Sequence, residues 1–163
     1  MNPEDINRED VAGFKVKLGT PTGSLPEGFN EYGVRKNYDG EDLESIDVLF
    51  DAMEPGIRKQ LEISPEFLNR VANQDNEGLP VQYDHSHSQR ANVGKLSATK
   101  FNESLKLMVN IPNTGSTIRS DTIADFTHST GPQITDGSVG FDPNSLEFSE
   151  PESEDALARF EDA

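Results

Sequence analysis

The chain has 163 residues, of which 30 are acidic and 14 basic, so its net charge is −16 at pH 7. This length fits one domain with a substantial core, and the acidic excess argues against direct contact with nucleic acid or anionic lipid. The sequence has no cysteine, which excludes disulfides, cysteine-based zinc sites and thiol nucleophiles.

The predicted environment follows from the same composition. No apolar run approaches the roughly 20 residues that a membrane-spanning helix needs, and the N-terminal MNPEDINRED is too acidic for a secretory signal. We therefore expect a soluble protein that acts inside a cell or particle, without a membrane partner. Because salt screens self-repulsion, the charge also fits a halophilic protein, with an ordinary acidic protein as the alternative.

The first half of the chain is predicted to begin with a disordered arm over residues 1–10. In AGFKVKLG, Phe14, Val16 and Leu18 alternate with lysines, which is typical of a half-buried strand. Residues 20–45 are rich in glycine and are predicted as loop, with one short strand near 32–36. IDVLF, residues 46–50, predicts a buried strand, and Ser64-Pro65-Glu66 predicts the start of a helix whose apolar face includes Phe67.

The second half is predicted to begin with a strand over LPVQYDH, residues 79–85. VGKLSATKF and LKLMVNI indicate a hairpin joined at residues 102–104, because Leu105, Leu107, Val109 and Ile111 alternate cleanly. Residues 116–130 predict a helix capped by Ser116 or Ser120. ITDGSVGF predicts a last strand that contains a turn. Beyond Phe141 the sequence is acidic with few apolar residues, so most of it is predicted to be tail, with a short helix near 156–160 as an alternative.

These elements together predict a strand-rich α+β fold. The folded domain is expected to cover residues 11–148, between the arm at 1–10 and an acidic C-terminal tail at 149–163.

Ser138 lies between Gly137 and Gly140 in TDGSVGF and has two interpretations. In one it is a turn serine that hydrogen-bonds its own backbone. In the other it is a nucleophile, because flanking glycines let the backbone approach a substrate carbonyl closely. A serine hydroxyl is reactive at neutral pH only when a base removes its proton, and histidine is the usual base.

Two of the three histidines, His85 and His87, lie in YDHSHS. On a strand, His-x-His places both imidazoles on one face, a spacing that metallohydrolases use. The run continues as HSHSQR, so a third ligand would have to come from His128 or a distant carboxylate. A metallohydrolase that uses His85 and His87 therefore remains an alternative to a serine–histidine pair.

The order of these segments resembles the HK97-type prohead (capsid maturation) protease family of tailed viruses, which is related to the herpesvirus assemblins. The matching pieces are Asp84-His85, Val93-Gly94-Lys95-Leu96, the alternating strand from Leu105 to Ile111, and Gly131 through Phe141. They lie in the family's order over residues 79–141. The resemblance implies a β-barrel-like core with a few helices packed outside.

The resemblance further implies a serine endopeptidase with Ser138 as nucleophile and His85 as general base, and without a cofactor. Its substrates would be scaffold and major capsid protein extensions inside the prohead, in the host cytoplasm, and it would cut itself and could form a homo-oligomer. Members of the family have a third catalytic residue after the serine, for which Glu147 is the first candidate and Glu150 the second. A non-catalytic virion or scaffold-associated protein that retains the fold is the alternative.

Overall fold

The computed structural model describes residues 6–7, 11–19, 25–74, 76, 78–82, 92–134, 136–141 and 143–162. Strands dominate this part of the chain, which confirms the prediction of a strand-rich α+β domain. In chain order the elements are β1 Gly13–Leu18, β2 Val34–Asp39, β3 Asp42–Met53, β4 Gly56–Arg58, β5 Leu61–Ile63, α1 Pro65–Ala72, β6 Pro80–Gln82, β7 Asn92–Asn102, β8 Ser104–Pro112, α2 Thr117–Phe126, β9 Asp136–Gly140, β10 Glu147–Ser149 and β11 Ala158–Asp162.

The larger sheet has seven strands, six of them in the order β6-β7-β8-β3-β1-β9. Strand β3 is long enough to pair with two strands along the same edge, β2 through residues 42–48 and β1 through Phe50 and Asp51. Gly19 and Gly33 meet at the junction, where both hydrogen-bond Leu49 and where a Cβ on Gly33 would lie 2.9 Å from the Gly19 Cα. Among the described pairings the sheet does not close, and β6 and β9 are its two ends.

Alternating apolar residues build the inner face of this sheet, as the sequence predicts. Phe14 and Val16 of β1 are buried, and so are four alternate residues of β8 from Leu105 to Ile111. The hairpin between β7 and β8 turns at Glu103, which adopts a left-handed conformation with φ of 64°. A side chain near each end of the sheet, Val81 of β6 and Val16 of β1, packs on the same apolar core, so the sheet curves around one interior.

Both predicted helices are present and begin at their predicted serines. The Ser64 hydroxyl accepts a hydrogen bond from the Phe67 N–H at 3.1 Å, and Pro65 occupies the first turn of α1. Ser116 caps α2 in the same way, with the Arg119 N–H as donor. Helix α2 ends at Phe126, four residues before the predicted end at 130.

The C-terminal segment corrects the predicted acidic tail. Residues 158–162 form β11, which pairs parallel with β5 and antiparallel with β10 in a second sheet of order β10-β11-β5-β4. Phe160 is 1% exposed, and its ring stacks on that of Phe67 at 5.2 Å between centroids. The prediction of an unpacked tail, and of a short helix near 156–160, is therefore wrong for residues 156–162. A few apolar residues suffice here because they alternate into an existing core.

Candidate active site

Ser138 lies in the middle of a regular strand. The antiparallel pairing of β9 with β1 runs without a bulge from Gly13–Gly140 to Lys17–Asp136, with Ser138 opposite Lys15. Gly137 is outside the left-handed region, and a Cβ there would lie 3.4 Å from a methyl group of Val16. The predicted turn within ITDGSVGF is thus wrong for residues 136–140, because cross-strand pairing holds these turn-prone residues in an extended conformation.

The predicted base, His85, lies outside the described residues, as does His87. Strand β6 ends at Gln82, three residues before His85. The His85 segment therefore follows β6, at one end of the larger sheet, whereas Ser138 lies in β9, at the other end.

Glu147, the candidate third member, belongs to the second sheet. It begins β10, is exposed, and pairs with Asp162 of β11. Among the described pairings β9 has only β1 as a neighbour, so Glu147 is not on a strand hydrogen-bonded to β9. Its assignment stays a prediction, as does that of the second candidate, the exposed Glu150.

Gly94, in the Val93-Gly94-Lys95-Leu96 piece of the resemblance, has a clear structural reason. A Cβ at this position would lie 2.3 Å from the backbone oxygen of Asn110 on β8 and 3.1 Å from a side-chain carbon of Ile111. Any larger residue would force β7 and β8 apart. Gly94 therefore fixes the approach of the strand that leads away from the histidine segment.

A cleft beside β1 is a candidate binding feature that the sequence does not predict. It has a volume of about 390 Å³ and is lined by three cations, Lys15, Lys17 and Arg58, together with two carboxylates, Asp51 and Glu54. The Arg58 Nη2 donates to the backbone oxygen of Gly13 at 2.6 Å, and burial lowers the pKa of the guanidinium. The alternating lysines of β1 were visible in the sequence, whereas the position of Arg58 depends on the β3–β4 connection.

A second cleft, of about 360 Å³, lies where the second sheet meets the start of α1. Arg159 lines it and binds Glu152 at 2.6 Å and Glu66 at 3.5 Å, and its Nε is buried without a hydrogen-bond partner among the described residues. The hydrogen bond with Glu152 raises the pKa of Arg159, while burial opposes it. This cluster ties β11 to α1, and its contacts are those of a structural clamp.

Among the described residues, the most buried carboxylate belongs to Asp47, on the face of β3 away from the core. Its oxygens accept hydrogen bonds from Arg35 at 2.7 Å, Asn37 at 2.9 Å and Asn110 at 2.9 Å. Burial raises the pKa of Asp47, but the hydrogen bonds from Asn110, Asn37 and Arg35 outweigh burial and hold that pKa below its ordinary value. Because these hydrogen bonds to Asp47 join β2, β3 and β8, we interpret the network as structural.

No family model, curated protein or solved structure matches the chain. Within the described ranges, no helix has the length and apolarity needed to cross a membrane. The same residues contain no group of three or more histidine, aspartate or glutamate side chains placed to hold a metal. The metal alternative therefore depends on His85 and His87, which lie outside those ranges.

Proposed function

We propose that the chain is a serine endopeptidase of the prohead-protease kind, with Ser138 as nucleophile and His85 as base. The order of elements supports this proposal: β6, then β7 with Gly94 packed against β8, then α2, and then β9 with Ser138. This is the order that the resemblance implies for residues 79–141. The single observation that carries it is the extended, paired backbone at Ser138, because a nucleophile must be held rigidly relative to its base.

In the proposed reaction the imidazole of His85 removes the proton from the Ser138 hydroxyl as its oxygen attacks the peptide carbonyl carbon. The same imidazole then gives that proton to the departing amine, which leaves an acyl ester on Ser138. Water, deprotonated by His85, attacks the ester, and the proton returns to the serine oxygen as the new carboxyl end departs. Glu147 is the first candidate for orienting the imidazole.

The barrel-like core belongs to the same proposal. Ser138 and the segment with His85 can meet only if the sheet curves until its ends, β6 and β9, approach each other. The shared packing of Val81 and Val16 on one core supports such curvature. The proposed dyad of Ser138 and His85 therefore requires the proposed barrel-like core.

Proximity of the two segments can be tested by cross-linking, since the chain has no native cysteine. The double variant His85→Cys/Ser138→Cys should form an intramolecular link with a short thiol-reactive cross-linker. The pair Lys100→Cys/Ser138→Cys serves as control because Lys100 lies near the far end of β7. Equal linking of both pairs, or none in the first, would contradict the dyad.

The proposed substrates are the extensions of the major capsid protein and the scaffold inside the prohead, and the chain itself. We expect wild-type protein co-expressed with its capsid precursor to process both. Ser138→Ala should lower processing by at least about 10³-fold, because it removes the nucleophile. Ser149→Ala, which changes a half-buried serine of β10 in the second sheet, should process normally.

A fluorophosphonate probe should label wild-type protein at Ser138 and leave Ser138→Ala unlabelled. If wild type and Ser138→Ala process the precursor equally, the serine mechanism is wrong. If neither processes it and neither is labelled, the chain is the non-catalytic virion protein. Processing that a chelator abolishes would instead favour the metallohydrolase.

A further inference from the structure

The cleft beside β1 exists because the two sheets diverge there. Strands β1 and β3 pair only at Lys17–Asp51 and Leu18–Phe50. Beyond this point β1 continues alongside β9, whereas β3 runs on to Met53 and leads into β4 of the second sheet. The gap between them is the cleft of about 390 Å³, a volume at which protein pockets begin to hold ligands.

The cations of this cleft differ from three other arginines among the described residues. Arg35, Arg70 and Arg159 each bind a carboxylate. Within the part of the chain that the structure describes, no carboxylate lies within ion-pair distance of Lys15, Lys17 or Arg58. Despite the net charge of −16, three cations without an ion pair to any described residue thus lie around one concavity.

Arg58 is the best placed of the three to bind an anion. It is half-buried, its guanidinium lies 5.6 Å from the centre of the Phe14 ring, and its described hydrogen bond goes to one backbone oxygen. A guanidinium has five N–H donors and binds carboxylates in a bidentate fashion. Partial desolvation strengthens such a contact, because it lowers the dielectric constant around the charges.

The two carboxylates of the cleft limit the negative charge that a ligand bound there can carry. Asp51 already accepts a hydrogen bond from the Ser104 hydroxyl, and Glu54 is exposed. Three cations against two carboxylates leave an excess of one positive charge, which suits one added carboxylate group. They do not suit a run of closely spaced phosphates, which the net charge of the protein would also repel.

We propose that this cleft binds acidic side chains of the peptide that the enzyme cleaves, so that substrates carry glutamate or aspartate beside the scissile bond. The identification of the peptide as substrate rests on the proposed function. Lys15 supplies the connection, since it lines the cleft and is directly opposite Ser138 on β9. Directly opposed residues have Cα atoms about 4.5–5.5 Å apart, so the cleft begins one strand away from the nucleophile.

Binding can be measured without hydrolysis in Ser138→Ala protein. The probe is a fluorescein-labelled peptide in which glutamate alternates with serine, and its counterpart has glutamine in place of glutamate. Fluorescence anisotropy should show the glutamate peptide binding about tenfold more tightly. Further substitution of Lys15→Gln and Arg58→Gln should reduce this preference to below about threefold, because charge-assisted hydrogen bonds are lost.

The matched control is Ser138→Ala with Lys36→Gln and Lys100→Gln, which makes the same change in net charge at exposed positions of β2 and β7. It should keep the tenfold preference. Equal affinity for the two peptides, equal loss in the control, or competition by oligothymidylate at the same charge concentration would overturn the proposal.

Cleavage of the same peptides by wild-type protein separates this inference from the proposed function. Cleavage without a preference for glutamate would overturn the acidic-peptide site and leave the protease intact. A glutamate preference in binding, with neither peptide nor capsid precursor cleaved, would uphold the binding site and overturn the protease.

Discussion

Replacing Phe160 by alanine tests whether the C-terminal strand belongs to the cooperative fold. The Phe160 side chain lies at the centre of an aromatic cluster, with ring centroids 5.2 Å from Phe67, 5.5 Å from Phe148 and 6.3 Å from Phe141. These partners come from α1, from β10 and from the residue that follows β9. Truncation would therefore leave a cavity where both sheets and a helix meet.

The magnitude follows from burial. Phe160 is 1% exposed, and a fully buried Phe→Ala change costs about 3–5 kcal/mol of unfolding free energy. For a chain of this size each kcal/mol lowers Tm by about 2–4 °C. We therefore expect Phe160→Ala to lower Tm by roughly 6–20 °C and to shift the urea midpoint accordingly.

The assay is urea unfolding followed by circular dichroism, with Tyr38→Ala as control. Tyr38 is 57% exposed on β2, so its truncation should change the unfolding free energy by only about 0.5 kcal/mol. A loss below about 1 kcal/mol in Phe160→Ala, or equal losses in both variants, would refute the reasoning. Residues 158–162 would then be a loosely attached tail, as the composition alone predicts.

Three further changes test individual contacts by the same unfolding assay. Gly94→Ala should cost about 2 kcal/mol or more, because its Cβ would overlap the Asn110 backbone oxygen, whereas Gly137→Ala, with an ordinary 3.4 Å contact, should cost less; equal costs would contradict this. Asp47→Asn should cost about 1.5–3 kcal/mol of unfolding free energy at pH 7. Because the pKa of Asp47 is lowered in the folded state, its contribution to stability is complete above the unfolded pKa of about 3.9 and is lost as the pH falls through the folded pKa. A difference in unfolding free energy between wild type and variant that stays constant down to pH 2 would refute this. Ser64→Ala should cost about 1 kcal/mol through loss of the cap on the Phe67 N–H, and an unchanged midpoint would show that the cap contributes nothing.

The elements that the sequence predicts well are those specified by neighbouring residues. Alternation in Leu105–Ile111 and the Ser64-Pro65 pair act within one strand or one turn, so the strand and the helix start follow directly from the sequence. The C-terminal strand is not specified by neighbouring residues, because its pairing partner, β5, lies nearly a hundred residues earlier in the chain. Composition around Phe160 is acidic, and only the distant core explains its burial.

The candidate site likewise depends on pairing between segments that are distant in the sequence. The segment TDGSVGF contains glycine, serine and aspartate, which favour turns locally. Five consecutive pairings with β1 nevertheless keep residues 136–140 extended. The cationic cleft likewise depends on where β3 leaves the larger sheet, which residue types in β1 do not reveal. Tertiary pairing thus decides both the conformation at Ser138 and the electrostatics next to it.

The charge of the protein links these two outcomes. A protein with this net charge repels acidic peptides at long range, so under the proposed function a local cluster of cations would be needed to hold a carboxylate near Ser138. The structure places Lys15, Lys17 and Arg58 around one cleft, next to the strand with Ser138. Screening by salt would weaken the long-range repulsion more than the contacts with half-buried Arg58, since exposed charges are screened more effectively than partly buried ones. Under the proposed function, high salt would therefore favour capture of acidic substrate by this cleft over its exclusion by the rest of the surface.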